Sequence, residues 1–252
     1  AAILTCDGVG EWTRTAWGRA EGNKLAFKEE IRFPHSLGLF YSTFTQFLGF
    51  EINEGEYKVM GLAPYGKPKI VKKVEKLIEQ NRDGAYKLDL SYFNFLFSDK
   101  VSYSKKFIDL FGQPLDPKSA DIVKEKYADI AASIQKVLEE KLLVIAKRLR
   151  LSTGEENLCY AGGVALNGVA NWRIFKEAGF KNIFIHPAAG DSGGALGAAL
   201  YFYYHVLNNS RKNTFKNVYL GASNSEEAVQ KFIAMNGLHA KRLNDRELVD
   251  RV

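Results

Sequence analysis

The segment from Leu158 to Leu200, LCYAGGVALNGVANWRIFKEAGFKNIFIHPAAGDSGGALGAAL, constrains the fold of this chain more than any other. It holds two glycine turns, Gly162-Gly163 and Gly193-Gly194, each after a strand-like apolar run and each opening a helix-like one. Glycine serves where a backbone must turn sharply or approach a ligand closely, and the first N–H groups of a helix are unpaired donors that attract anions. A single glycine pair would be explained by tight strand-to-helix packing alone. Here the second turn also carries Asp191 and the first is followed by Asn167, a carboxylate and an amide placed where a metal, a ribose or a phosphate could be held. Two such turns suggest a clamp for a nucleotide.

The rest of the chain supports an α/β reading. AAILTCDG, TRTAWGRAEG and KLAFKEEIRF alternate and are separated by turn residues, which predicts an antiparallel three-stranded meander. Ser36 is placed to cap a helix over Leu37 to Leu48. GEYKVMGLAPYGK is broken by glycine and proline, with EYKVMGLA as a short helix ending at Pro64. Ile70 to Gln80 reads as a basic amphipathic helix and Ala85 to Phe97 as an aromatic strand or loop. Its Tyr92, Phe93, Phe95 and Phe97 are expected in packing rather than as a nucleobase platform. Ala120 to Leu149, with Ile122, Ile130, Ile134, Val137, Leu138 and Leu142, is a long helix, and Ser152 to Gly154 stop it. The polar NNSRKNTF stretch from Asn208 to Phe215 reads as a linker, which divides the chain into a domain over 1–207 and a second segment over 208–252. The order meander, helices, strand-helix, strand-helix suits a sheet with ligands at its strand ends.

Composition narrows the function classes. The 252 residues with 46% hydrophobic content suffice for a packed core. The net charge of +6 arises from 35 basic and 29 acidic residues spread through the chain, which favours a solvated helix face over a nucleic-acid patch and suits anionic small molecules. Cys6 and Cys159 lack the paired spacing of a zinc or redox motif and read as core thiols in a reducing compartment. No stretch is long enough for a transmembrane helix and no leader pattern opens the chain, so a cytoplasmic protein without membrane or nucleic-acid partners is expected. Both ends fall inside regular elements, and the sequence is read as a fragment of a longer polypeptide.

Five motifs in order resemble a known family. DGVGEW from Asp7, IRFPHSLGLFYSTFTQFLGF from Ile31, GEYKVMGLAPYGKP from Gly55, AGGVALNGVAN from Ala161 and PAAGDSGGALGAAL from Pro187 look like the nodulation-protein and antibiotic carbamoyltransferases. The resemblance implies the actin-like ATPase superfold of sugar kinases and heat-shock ATPases, ribonuclease H-like in its halves and only partly present here, similar to the tRNA threonylcarbamoyl-transfer protein. In that family a YrdC-like carboxy-terminal domain makes carbamoyl-adenylate from carbamoyl phosphate and ATP. The amino-terminal domain passes the carbamoyl group to a hydroxyl of a sugar or other small molecule. Residues 208–252 would then lead into the YrdC-like module.

The resemblance also implies site residues. Asp7 and Asp191 match the family's catalytic, metal-holding aspartates, with iron as the implied divalent metal. The two histidines that complete the set lie before the DGVGE strand in relatives, so the site is expected to be incomplete in this chain. Gly162, Gly163 and Asn167 match the turn that contacts the adenylate, Gly193 and Gly194 close the clamp, and Glu56 matches the position of an acid on the ribose hydroxyls. Arg32 and His35 are candidates to face the carbamoyl phosphate moiety. The plainer roles are an Asx turn for Asp7, a helix cap for Asp191 and capping for His35. A kinase or ATPase of the same superfold, and a nucleotide-binding module that is catalytically incomplete, remain the alternatives. A half-sheet exposed by such a fold would favour pairing between chains, so a homodimer stays open.

Overall fold

The computed structural model describes residues 1–118, 124–211, 217–219 and 221–252. Its first three strands, β1 (Ala2–Cys6), β2 (Thr13–Glu21) and β3 (Lys24–Arg32), form the expected meander. β1 pairs antiparallel with β2, Leu4 opposite Trp17, and β2 with β3, Trp17 opposite Glu29. Period-two alternation sends Ala2, Leu4 and Cys6 into the core. The β2–β3 register slips between Thr13 and Thr15, which leaves Arg14 as the extra residue of a bulge.

Helix α1 (Leu37–Phe47) begins where Ser36 Oγ accepts from the Leu39 N–H at 3.0 Å. The same hydroxyl points at the carbonyls of Asp7 and Gly8, at 2.8 and 2.9 Å, so the cap also fastens the helix to the turn after β1. The contact is close: a Cβ on Gly38 would lie 2.3 Å from the Gly8 Cα. Phe40, Phe44 and Phe47 are fully buried, and each such ring contributes about 1.5–3 kcal/mol by leaving water.

Helix α2 (Glu56–Leu62) runs into a 3₁₀ turn over Ala63–Tyr65 that contains Pro64, as the breaker predicts. The next expectation is corrected. Ile70 to Gln80 is not one helix: α3 spans only Val71–Glu75, and Ile78–Gln80 is β4, paired antiparallel with β5 (Tyr86–Leu88). Val74, Leu77 and Ile78 are all buried, and their spacing imitates a helical stripe while Ile78 is used against Leu88 across the hairpin. The following aromatics are packing, as expected for Tyr92 and Phe93, whereas Phe97 is 83% exposed. Helix α4 (Lys105–Phe111) adds Phe107 and Phe111 to the ring cluster around Phe44 and Phe47.

Helix α5 (Glu125–Thr153) is 29 residues long and stops at Gly154, whose φ of 70° is left-handed. The expected start at Ala120 and the core position given to Ile122 lie outside the described residues. From α5 the chain enters β6 (Asn157–Ala161), α6 (Gly168–Glu177), β7 (Asn182–Ile185) and α7 (Gly194–Leu200), which continues as a π-helical turn over Tyr201–Val206. β6 pairs parallel with β1 and β7 parallel with β6. The result is a mixed five-stranded sheet in the order β3-β2-β1-β6-β7. The carboxyl ends of its three parallel strands are Cys6, Ala161 and Ile185.

The chain divides into compact units at 1–211 and 212–252. The linker expected over Asn208 to Phe215 falls partly outside the described residues. In the second unit α8 (Glu226–Met235) is capped by Ser225, and α9 (Asp245–Val249) by a reciprocal box between Asn244 and Glu247. Both cysteines are free, Cys6 buried and Cys159 half-buried, and burial pushes the Cys6 thiol up to about 12. Among the described residues no helix is long and apolar enough to cross a membrane.

Candidate functional site

The turns after β1, β6 and β7 meet at one edge of the sheet. Asp7 Oδ1 accepts from its neighbour Gly8 N–H at 2.8 Å, the Asx geometry, and also from the Gly163 N–H at 3.1 Å, 156 residues away. One carboxylate thereby joins the first strand's turn to the first glycine turn. Gly162 has φ 100°, and a Cβ there would sit 2.1 Å from the Cys6 carbonyl oxygen; only glycine fits. Its N–H donates to the Ala189 carbonyl at 2.8 Å, and Gly190 packs on Gly163. The two glycine turns are therefore bonded to each other as well as to β1.

Around them lies a cleft of about 710 Å³ lined by Asp7, Arg14, Gly162, Gly190, Asp191 and Gly194, with Thr5, Ala16 and Phe27 on the sheet face opposite Leu4 and Trp17. Asp191 opens a 3₁₀ turn over Asp191–Gly193 but caps no helix; the cap position is Gly190, without a side-chain bond. The carboxylate of Asp191 has no hydrogen bond or ion pair to the described residues and is exposed. Gly193 is required by packing, since a Cβ would meet the Ala188 carbonyl at 2.1 Å, whereas Gly194 faces open space. A glycine with room for a side chain, on the wall of a cleft, is where a ligand could come close to backbone.

Asn167 and Glu56 do not line this cleft. Asn167 is 8% exposed and caps α6, its Oδ1 accepting from the Ala170 N–H at 3.0 Å. Its amide exchanges two hydrogen bonds with Gln135 of α5, at 2.9 and 3.0 Å. Tyr41 donates to the same Gln135 oxygen at 2.8 Å, and Gln135 donates to Glu139 at 3.0 Å, which pairs with Arg173 at 3.2 Å. Burial, and then the charges of Glu56 and Glu139, push the Tyr41 phenol far up, so it stays a neutral donor. Glu56 itself accepts from Ser42 Oγ at 2.6 Å and from the Asn53 N–H at 3.1 Å. Both residues thus brace the helices behind the first glycine turn.

Arg32 and His35 are likewise engaged elsewhere. Arg32 donates to Glu30 at 2.8 Å, and His35 Nδ1 accepts from the Leu88 N–H at 3.1 Å, which ties the β4–β5 hairpin to the turn before α1. Sequence reasoning missed Gln135 and Arg14. The signal for the first was a set of polar residues, Asp129, Ser133, Gln135 and Glu139, on the buried side of α5. For the second it was an arginine at the start of a strand next to the DGVGE turn. Among the described residues no group of three or more His, Cys, Asp or Glu side chains converges as a metal site.

These features define an α/β domain whose cleft lies between two glycine turns at the strand ends. The chain belongs to the carbamoyltransferase family: residues 1–200 match the family described as Carbamoyltransferase N-terminus. It is 46% identical over 238 residues to the uncharacterized protein sll1178 of Synechocystis, covering 92% of this chain and 38% of that protein. It is 32% identical over 249 residues to nodulation protein NolNO of Sinorhizobium fredii, covering 96% of this chain and 34% of the relative. It is 31% identical over 222 residues to nodulation protein NolO of Bradyrhizobium diazoefficiens, with shares of 87% and 38%. The chain therefore spans little more than a third of the length of these curated relatives.

Proposed function

We propose that this chain forms the carbamoyl-transfer part of an O-carbamoyltransferase on the actin-like ATPase superfold. Carbamoyl-adenylate, made from carbamoyl phosphate and ATP in a YrdC-like module, would lie in the cleft between the glycine turns. The observation that carries this reading is the Asp7 bridge, which together with the Gly162 N–H to Ala189 carbonyl bond locks three strand-end turns into one wall of glycine backbone. Such a wall accommodates a phosphorylated ligand with little rearrangement.

In the transfer step, a hydroxyl of a sugar or other small molecule attacks the carbamoyl carbon, the bond from that carbon to the adenylate oxygen breaks, and AMP leaves. The hydroxyl proton needs an acceptor, and the exposed, unpaired Asp191 carboxylate on the second glycine turn is a group of the cleft free to take it. Asp7 Oδ1 is committed to two N–H donors and holds geometry. The divalent metal, iron, that the family resemblance implies would need more donors than these two aspartates. The described residues do not complete such a site, and the transfer step is written with the chain's own groups. Asn167 and Glu56 act as positioning residues behind the adenylate turn.

The test is calorimetric titration of AMP and ATP into the chain and into Gly194→Leu. The side chain at 194 enters open space, so it is expected to leave the melting temperature unchanged or raised while weakening nucleotide binding at least tenfold. Saturable binding that Gly194→Leu leaves intact, or no binding by the wild-type chain, overturns the proposed site. Nucleotide binding without carbamoyl transfer when donor and acceptor are supplied to the full-length protein would instead mark a binding module.

A further inference from the structure

Arg14 is 5% exposed, yet its Nε and Nη1 are buried without a hydrogen-bond partner. Burial pulls its pKa down and the neighbouring Asp7 charge pulls it back up; the guanidinium stays charged, because no other side chain holds its proton so tightly. A buried arginine without ion-pair partner is costly and rare. Two carboxylates of the cleft are engaged elsewhere, and Glu29 and Asp191, which also line it, make no ion pair to Arg14. Asp7 Oδ1 serves the Gly8 and Gly163 N–H groups, and Glu30 accepts from Thr13 and Arg32. The described residues contain no ion pair to Arg14.

The backbone is built to place it there. Arg14 is the extra residue of the β2 bulge, a device that re-aims one side chain out of the ladder. Its carbonyl accepts the Asp7 N–H at 2.8 Å, which pins it beside the turn after β1. One face of its guanidinium covers the Phe33 ring, 5.0 Å from the centroid, so its edge remains for a ligand, and it lines the same cleft as Gly162 and Gly194. We infer that Arg14 is the oxyanion anchor of this cleft and takes a phosphoryl group by its free N–H edge. Planar, bidentate recognition of phosphate is what a guanidinium does better than an ammonium.

This assignment deepens the proposed function and names the group that would fix the phosphate of the carbamoyl donor. The experiment separates the two. AMP, adenosine and inorganic pyrophosphate are titrated into the wild-type chain, Arg14→Gln and Arg14→Lys, with circular dichroism as the folding control. The expected result is that AMP binds wild type at least tenfold tighter than adenosine, and that Arg14→Gln brings AMP down to the level of adenosine while adenosine is unchanged. Arg14→Lys should fall between, and it carries the same readout if Arg14→Gln does not fold. Pyrophosphate that binds wild type and not the variants, with neither AMP nor adenosine binding, would keep the anchor and sink the nucleotide reading. Equal loss of AMP and adenosine, no loss of either in the variants, or no binding of any phosphorylated probe by wild type overturns the anchor.

Discussion

At the residue scale the glycine turns were legible because glycine is rarely kept where another residue fits, but their reasons differ in kind. Gly162 and Gly193 are demanded by carbonyls 2.1 Å from a would-be Cβ, and Gly194 by nothing in the fold. A sequence shows three equal letters. Asn167 is the reverse case: its place in the motif suggested a ligand contact, and its amide is spent on Gln135, a residue 32 positions away that no local pattern could pair with it. That exchange has a measurable size. Asn167→Ala removes a cap worth about 1 kcal/mol and leaves the buried Gln135 amide short of partners, at about 1–3 kcal/mol more. Urea unfolding of Asn167→Ala, Gln135→Ala and the double variant is expected to show that the double loses clearly less than the sum of the singles. Additive losses would show that the two amides do not act as a pair.

At the element scale, strand alternation and helix caps predicted β1 to β3 and α1 well, because each signal is local and tertiary structure reinforces it. The failed helix over Ile70 to Gln80 shows where locality ends: Val74, Leu77 and Ile78 satisfy a helical stripe and a hairpin alike, and pairing with β5 decides. The LAPYGKP motif is explained by packing on α5. A Cβ on Gly66 would meet the Ala128 carbonyl at 2.1 Å, and Asp129 of α5 accepts from the Lys67 N–H at 2.7 Å and pairs with Lys69 at 2.9 Å. Burial works against the Asp129 charge, but the Lys67 N–H and the Lys69 ammonium outweigh it and hold the carboxyl below its ordinary value of 3.8. A carboxyl whose pKa is lower folded than unfolded stabilises the fold above its unfolded value. That contribution disappears as pH falls through the folded value. Asp129→Asn is therefore expected to be less stable than wild type at neutral pH, with the gap narrowing once pH drops below 3.8. Denaturation midpoints measured from neutral to acid check this, and a gap independent of pH would refute the role of the charge.

At the scale of the whole molecule, a sheet with a cleft at its strand ends could be expected from the order of meander, helices and strand-helix units, while the state of α7 could not. Leu200 to Leu207, LYFYYHVL, is rich in apolar and aromatic residues, yet neither α7 nor its π-helical continuation has a buried residue. Periodicity predicts which side of a helix wants cover and is silent on whether cover exists. Phe202 is 57% exposed, and Trp172 on α6 and Phe184 on β7 are 59% and 52% exposed. Along Leu200 to Tyr203 the exposed apolar side chains are consecutive, and exposed apolar surface of this kind drives association more readily than isolated apolar residues do. The chain is accordingly expected to self-associate, which is how a homodimer would arise, and to do so no less at high salt, since apolar contact is not screened as charge pairing is. In sedimentation velocity the average coefficient should rise with concentration, and the double substitution Tyr201→Lys with Phe202→Glu should lower that rise without changing the circular dichroism spectrum. A coefficient that stays at the monomer value across concentrations would show that these side chains find their cover within one chain in solution, and the homodimer would fall with it.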